Sequence, residues 1–385
     1  MFGCSLRGEL RGLVLVSLVL AFVNLISINV LVPSYVASLG GGVFLVGVVY
    51  SLMAAARGFS GALGGFLRDR VGGKIVLLLS ISVKMLAFTI LFLACNIPFL
   101  ALGLIVHAFG SGVEIPAFLS VVAVVAGETS FTATLFGFAL TVKTMPNICA
   151  PALTGFLADG FGVRMAFFFG VIFSLASFLS LLKIKVEKVL KTEERIERVE
   201  FDRDFLLLLV ATYFLFAAVS AFTPIFSYWV VEELKYSFTL LGLILAARSV
   251  VAAFSRIYTG MLADRLGNLN LLLGVGAVRA TALALLPLAR NPLEITLLVL
   301  LYGSLMAAPP RSAYISKIFS REDYGKAFGA ISVAQNLGLM TGPVFAGYVA
   351  EHWGYFLTYT ILSLLFVIFA LLIALLKYRE RRGEL

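Results

Sequence analysis

Apolar runs of about 20 to 27 residues, parted by short polar breaks, fill almost the whole chain. A membrane-crossing helix needs roughly 20 apolar residues, and no run shows the ten-residue alternation of a barrel strand. The pattern predicts twelve spanning helices, at 12–36, 43–67, 74–95, 98–126, 132–158, 163–183, 204–231, 237–262, 269–289, 292–318, 325–350 and 354–377. Four of the breaks carry one phrase: Gly65-Phe-Leu-Arg-Asp69-Arg-Val-Gly72, Gly155-Phe-Leu-Ala-Asp159-Gly-Phe-Gly162, Gly260-Met-Leu-Ala-Asp264-Arg-Leu-Gly267 and Gly347-Tyr-Val-Ala-Glu351-His-Trp-Gly354. The copies lie 90, 105 and 87 residues apart, a period that holds three spans with short loops, so the chain reads as four three-helix repeats.

The middle spacing is the longest because Lys183 to Asp204 intervenes, with seven basic and seven acidic residues among twenty-two. This stretch is expected to be a charged cytoplasmic linker over 183–204. It divides an N-terminal six-helix bundle, 1–182, from a C-terminal one, 205–385. With the N-terminus placed in the cytoplasm, about twenty Lys and Arg fall inside and about three outside. Both termini are therefore expected in the cytoplasm and the protein in the plasma membrane, with Trp229 and Trp353 as outer interfacial anchors.

Composition agrees, since 61% hydrophobic and 13% charged residues exclude a water-soluble domain of 385 residues. The first span is too long for a signal-peptide core and is read as retained. Cys4, Cys95 and Cys149 are scattered and imply neither a disulfide framework nor a metal site. No phosphate-binding loop and no His-Glu-x-x-His occurs, so no enzyme activity or cofactor is expected, and transport energy must come from a gradient. The net charge of +9 lies largely in loops and span interiors, not along a stacking stripe suited to nucleic acid.

The segment Gly65 to Lys74 resembles the signature between the second and third helices of the major facilitator superfamily, and Gly260 to Gly267 resembles its second-half copy. Gly342-Pro343 followed by Ala346-Gly347 is similar to the family's glycine-proline packing motif. The resemblance implies an all-α membrane protein in which two six-helix bundles rock about a central site. It implies a secondary transporter, a monomer whose partners are the lipid bilayer, a small-molecule substrate and, in a coupled carrier, protons. Gly65, Asp69, Arg70, Gly72, Lys74, Gly260, Asp264, Arg265 and Gly267 are the expected gating residues. Glycines there admit a close neighbour, and the acid can cap a helix start while pairing with Arg70 or Lys74, which would latch one conformation.

A charge at mid-bilayer costs roughly 2.5 to 3.5 kcal/mol, so such residues face a cavity or a partner. Near span centres lie Arg57, Lys84, Lys143, Arg248, Arg279 and Arg311, against a single deep acid, Glu114. Lys143, Arg248 and Gln335 each stand sixteen residues before a repeat acid. The resemblance places their spans around the central cavity, so these three lead as substrate contacts, followed by Arg57, Arg311 and Asn24. Lys84 and Arg279 both stand fifteen residues after an acid, but on spans that are peripheral in the family, where snorkelling or a structural ion pair competes with function. His107, Ser111 and Glu114 share one helical face. His107 and Glu114 are candidates for proton coupling, the alternative being that Glu114 neutralises Arg57 or Lys143. The expected function is alternating-access transport of a small organic anion or anionic amphipath. A multidrug antiporter and a non-transporting membrane sensor or scaffold stay open as alternatives, though the fourth span reads Val106-His107-Ala108-Phe109 where drug-exporting branches usually carry an arginine.

Overall fold

A computed structural model describes residues 2–127, 139, 141–184, 203–319 and 324–382. Among them are helices and no strand, as expected where the solvent offers backbone groups no partner and each segment must bond within itself. In chain order the helices are α1 (Phe2–Val23), α2 (Ile28–Ser38), α3 (Val43–Val71), α4 (Gly73–Leu93), α5 (Ile97–Gly127), α6 (Pro146–Phe161) and α7 (Val163–Lys183). They continue with α8 (Arg203–Tyr228), α9 (Phe238–Leu266), α10 (Asn268–Leu285), α11 (Pro292–Gly303), α12 (Ala308–Ile318) and α13 (Tyr324–Arg381).

Ten stretches among the described residues are long and apolar enough to cross a membrane. The last, Lys326–Glu380, contains two expected spans and is interrupted at Gly354. The expected span 132–158 lies partly outside the described residues, and α6 is its second half. Two expected spans are not continuous. The first breaks between α1 and α2 at Asn24 to Ser27, and the tenth between α11 and α12 at Ser304 to Ala307.

The closing glycine of the repeated phrase has a backbone cause. Gly72, Gly162, Gly267 and Gly354 have φ of 92°, 84°, 89° and 82° with ψ near the extended range, a region essentially closed to other residues. At each, one helix ends and the next begins without a loop. Gly72 N–H, for example, bonds Arg68 O at 2.9 Å while Gly72 O accepts from Val76 N–H.

The chain forms two compact units. One comprises 1–41, 52–194 and 235–246; the other comprises 42–51, 195–234 and 247–385. In the first, Leu13, Val16, Leu20, Val76, Ile81, Phe118 and their neighbours form a buried core. There Gly110 brings α5 against α4, since a Cβ would lie 3.1 Å from Lys84 Cγ and from Ser80 O. In the second unit Gly338 and Gly342 of α13 lie on the α8 backbone at Tyr213 and Ala217, the small-residue packing by which membrane helices approach closely. Trp229 corrects one expectation. It is buried against Phe226, Tyr355 and Tyr359 instead of anchoring at an interface, whereas Trp353 is 58% exposed.

Candidate functional site

In the first unit the single deep acid holds two bases. Lys84 Nζ lies 2.6 Å from Glu114 Oε2, and Lys143 Nζ lies 2.8 Å from Oε1. Lys84 and Ser80 are one turn apart on α4, so both reach the same carboxylate, Ser80 Oγ at 3.4 Å. The second hydrogen bond of Lys84 runs to Asn24 Oδ1, 3.1 Å away at the break of the first span. Lys143, in the helical residues that precede α6, also lies over the Phe118 ring at 4.7 Å. Side-chain exposure separates the two bases: 1% for Lys84 and 12% for Lys143.

Two cations on one buried carboxylate leave a surplus positive charge, and low-dielectric burial makes any loss from such a cluster expensive. Arg57 is exposed, and its carbonyl accepts from Ser60 Oγ at 3.2 Å. His107 is buried edge-on against Phe88, with Nδ1 unpartnered. The hydrogen-bond partners of Glu114 are Lys84, Lys143 and Ser80, so the shared face of His107 and Glu114 produces no direct bond between them.

The break itself is held by a side chain that sequence reasoning missed. Thr154 Oγ1 of α6 accepts from Ser27 N–H at 2.8 Å and donates to Leu25 O at 3.4 Å, satisfying backbone groups that an unbroken helix would pair internally. Asn24 Nδ2 donates to Leu20 O at 2.7 Å and closes the end of α1.

The second unit repeats this arrangement around the α11–α12 break. Arg279 Nη2 donates to Leu305 O at 3.0 Å and lies 5.0 Å from the Tyr302 ring centre. Thr259 Oγ1 accepts from Met306 N–H at 3.5 Å. Thr154 and Thr259 each stand five residues before a repeat acid, and that shared offset is the signal that could have found them.

Arg248 Nη1 donates to Thr223 Oγ1 at 3.2 Å. Arg311 is buried with Nη2 3.5 Å from Gln335 Oε1 and its guanidinium over Phe216, while Nε and Nη1 have no partner. Among the described residues no carboxylate pairs with Arg248, Arg279 or Arg311. The structure thus joins Lys143 to Glu114, Asn24 to Lys84, and Arg311 to Gln335. Lys143 and Arg248, equal in repeat offset, belong to different units.

The expected gating residues occupy helix junctions. Arg70 lies over the Phe66 ring at 4.1 Å, and Lys74 Nζ donates to Leu182 O at 3.2 Å, tying α4 to the end of α7. Asp264 and Arg265 are exposed. A Cβ on Gly65 would meet open space, and one on Gly260 would only touch Pro309. The side chain of Asp69 lies outside the described residues.

Residues 14–301 and 208–385 match the family model described as Major Facilitator Superfamily. The chain belongs to the major facilitator superfamily. It is a multi-pass membrane protein and a secondary transporter, not an enzyme. Its relatives in this superfamily include the Multi-drug resistance efflux pump PmrA homolog of Lactococcus lactis subsp. lactis, 28% identical over 84% of each chain. The Multidrug resistance protein MdtG of Erwinia billingiae is 25% identical over 80% of this chain and 78% of its own. Among solved structures, a mutant of the nucleoside transporter NupG superposes with a TM-score of 0.81 at 15% identity, covering 96% of this chain and 99% of that one. At that identity the superposition speaks for the superfamily fold alone.

Proposed function

We propose that this transporter carries an anionic, amphipathic small molecule by alternating access, in a plasma membrane with both termini cytoplasmic, as the basic loops favour. The observation that carries the reading is Arg311, buried with two guanidinium nitrogens unpartnered beside Gln335. An uncompensated buried charge is costly, and a substrate carboxylate, sulfonate or phosphate would supply the missing acceptor. The half-buried ring of Phe216 beside Arg311 offers apolar surface to the rest of such a molecule. A cationic substrate finds no equivalent among the described residues near span centres, because both oxygens of Glu114 are occupied by lysines.

The same geometry supports proton coupling. A proton on Glu114 would compete with Lys143, the more exposed of its two bases, and release that ammonium toward an anion; Lys84 would keep Asn24. His107, buried with a free ring nitrogen, is the nearest second proton carrier on α5.

Thermal shift on purified protein tests the substrate class. Organic anions should raise the Tm of the wild type, and Arg311→Gln should weaken that response by about one to two decades in Kd, the cost of a charge-assisted hydrogen bond. The names of the multidrug relatives favour a second reading, export of varied amphipathic compounds. Stabilisation by lipophilic cations and not by anions would select it.

A further inference from the structure

Two of the four repeat acids, Asp159 and Glu351, each close the first turn of a helix from a distant part of the chain. Asp159, near the end of α6, accepts from Phe238 N–H at 3.1 Å and Thr239 N–H at 2.7 Å, at the start of α9. Glu351 in α13 accepts from Phe44 N–H at 2.8 Å, at the start of α3, with its carboxylate against Gly42. Phe44 and Thr239 both stand 25 residues before a repeat acid, so the two caps are copies of one design.

The backbones beneath the caps are matched as well. Gly155 lies on the Phe238 carbonyl and Gly242 on that of Pro151; Gly347 lies on the Val43 carbonyl and Gly47 on that of Pro343. A Cβ at any of the four would overlap its neighbour. Gly155 and Gly347 stand four residues before their acids, Pro151 and Pro343 eight, and Gly47 and Gly242 twenty-two. Ser51 Oγ adds a bond from Val344 N–H at 3.2 Å.

Both contacts lie inside one unit each, because 235–246 belongs to the first unit and 42–51 to the second. The rest of α9 belongs to the second unit and the rest of α3 to the first. Each cap therefore fastens the first turn of a helix whose remainder belongs to the other unit. The order of spans puts Asp159 and Glu351 at the membrane face opposite Asp69 and Asp264.

We propose that Asp159 and Glu351 are paired positioning residues that latch this opposite face, and that transport breaks both caps in the half-cycle that opens it. Unpaired N–H groups and the positive end of the dipole make a helix start a ready partner for an acid. Both caps are solvent-exposed, so parting them hydrates carboxylate and amides alike and neither is stranded in a dry interior. A switching contact needs that reversibility, which a buried ion pair lacks.

Hydrogen exchange on the full-length protein in nanodiscs tests this without substrate. The inference rests on the transport reading only for what the opening serves, so a failed anion assignment leaves the test standing. Asp159→Asn or Glu351→Gln should speed exchange at its own capped amides by about five- to tenfold. The double variant should lose protection across 42–51 and 235–246 together, by about a hundredfold, with α4 and α10 unchanged. Asp159→Glu should restore Phe238 and Thr239 to within about twofold, since a glutamate caps at the other latch. Gly155→Ala with Gly347→Ala, which parts the backbones without touching the carboxylates, should give the double-variant pattern. Loss confined to the capped amides, loss spreading into α4 and α10 with a fallen Tm, or an unchanged glycine variant would each overturn the proposal.

Discussion

Lys84 and Arg279, each fifteen residues after a repeat acid, bind to the broken spans of their own units: Lys84 to Asn24 Oδ1 and Arg279 to Leu305 O. A helix break at membrane depth exposes backbone groups that lipid cannot satisfy, and discontinuous helices persist there only where protein supplies partners. The two bases are thus ion-pairing or hydrogen-bonding anchors for the segments that in many carriers bind substrate.

Lys84→Met should lower stability by about 1–3 kcal/mol, because Glu114 loses its shorter ion pair but keeps Lys143. Arg279→Met should cost a similar amount by leaving Leu305 O unpaired. Thermal unfolding checks both. Combining Lys84→Met with Glu114→Gln should cost less than the sum of the single changes, since one interaction is removed twice; strict additivity would show that the pair is not coupled.

The threonines grade by distance. Thr154→Val keeps shape but removes the acceptor 2.8 Å from Ser27 N–H, at about 1–3 kcal/mol for a buried amide left unsatisfied. Thr259→Val removes one at 3.5 Å, near the limit of a hydrogen bond, and should cost clearly less. Equal Tm losses would mean that the two breaks are held by other contacts.

What the chain revealed before its structure follows from what repeats in it. Spans, junctions and the fourfold phrase were legible because a membrane helix and a positive-φ glycine each demand one residue type locally. Lys143 was legible as one partner of Glu114, and Lys84, the other, was not. The resemblance puts the span of Lys84 at the periphery, where a structural ion pair competes with function, and the close approach at Gly110 and the break beside Asn24 turn that side chain inward to make one. The breaks were hidden because Asn24 to Ser27 and Ser304 to Ala307 contain neither glycine nor proline. Three-dimensional satisfaction by Thr154 and Thr259, not local propensity, permits them.

Two groups of glycines in and beside the repeated phrase contrast with each other. Gly72→Ala, Gly162→Ala or Gly267→Ala places a Cβ at a φ of 92°, 84° or 89°, a strain of order 1–3 kcal/mol. Gly160→Ala and Gly65→Ala fall in helix with nothing within 4 Å and should be neutral or stabilising by up to about 1 kcal/mol. Melting temperatures of the five variants should separate into these two groups. If Gly65→Ala keeps its Tm but slows substrate exchange, the space beside Gly65 is filled in another end-state, as the expected gating role requires.

Coupling and binding should part at Glu114 and Lys143. In proteoliposomes Glu114→Gln should abolish transport driven by a pH gradient while downhill exchange continues, because the variant is fixed in a charge state that no longer competes for Lys143. The surplus ammonium should make anions bind as tightly as before or tighter. Lys143→Gln should instead weaken anion binding by about one to two decades, while Glu114 keeps its 2.6 Å contact with Lys84. Both variants leave the deeper ion pair or its hydrogen-bonded remnant in place, so folded protein is expected from each, and the Tm of each preparation checks that first. A gradient response unchanged in Glu114→Gln would remove the carboxylate from the coupling path. Unchanged anion affinity in Lys143→Gln would leave Lys143 as a counter-charge only, with recognition confined to Arg311 and its neighbours.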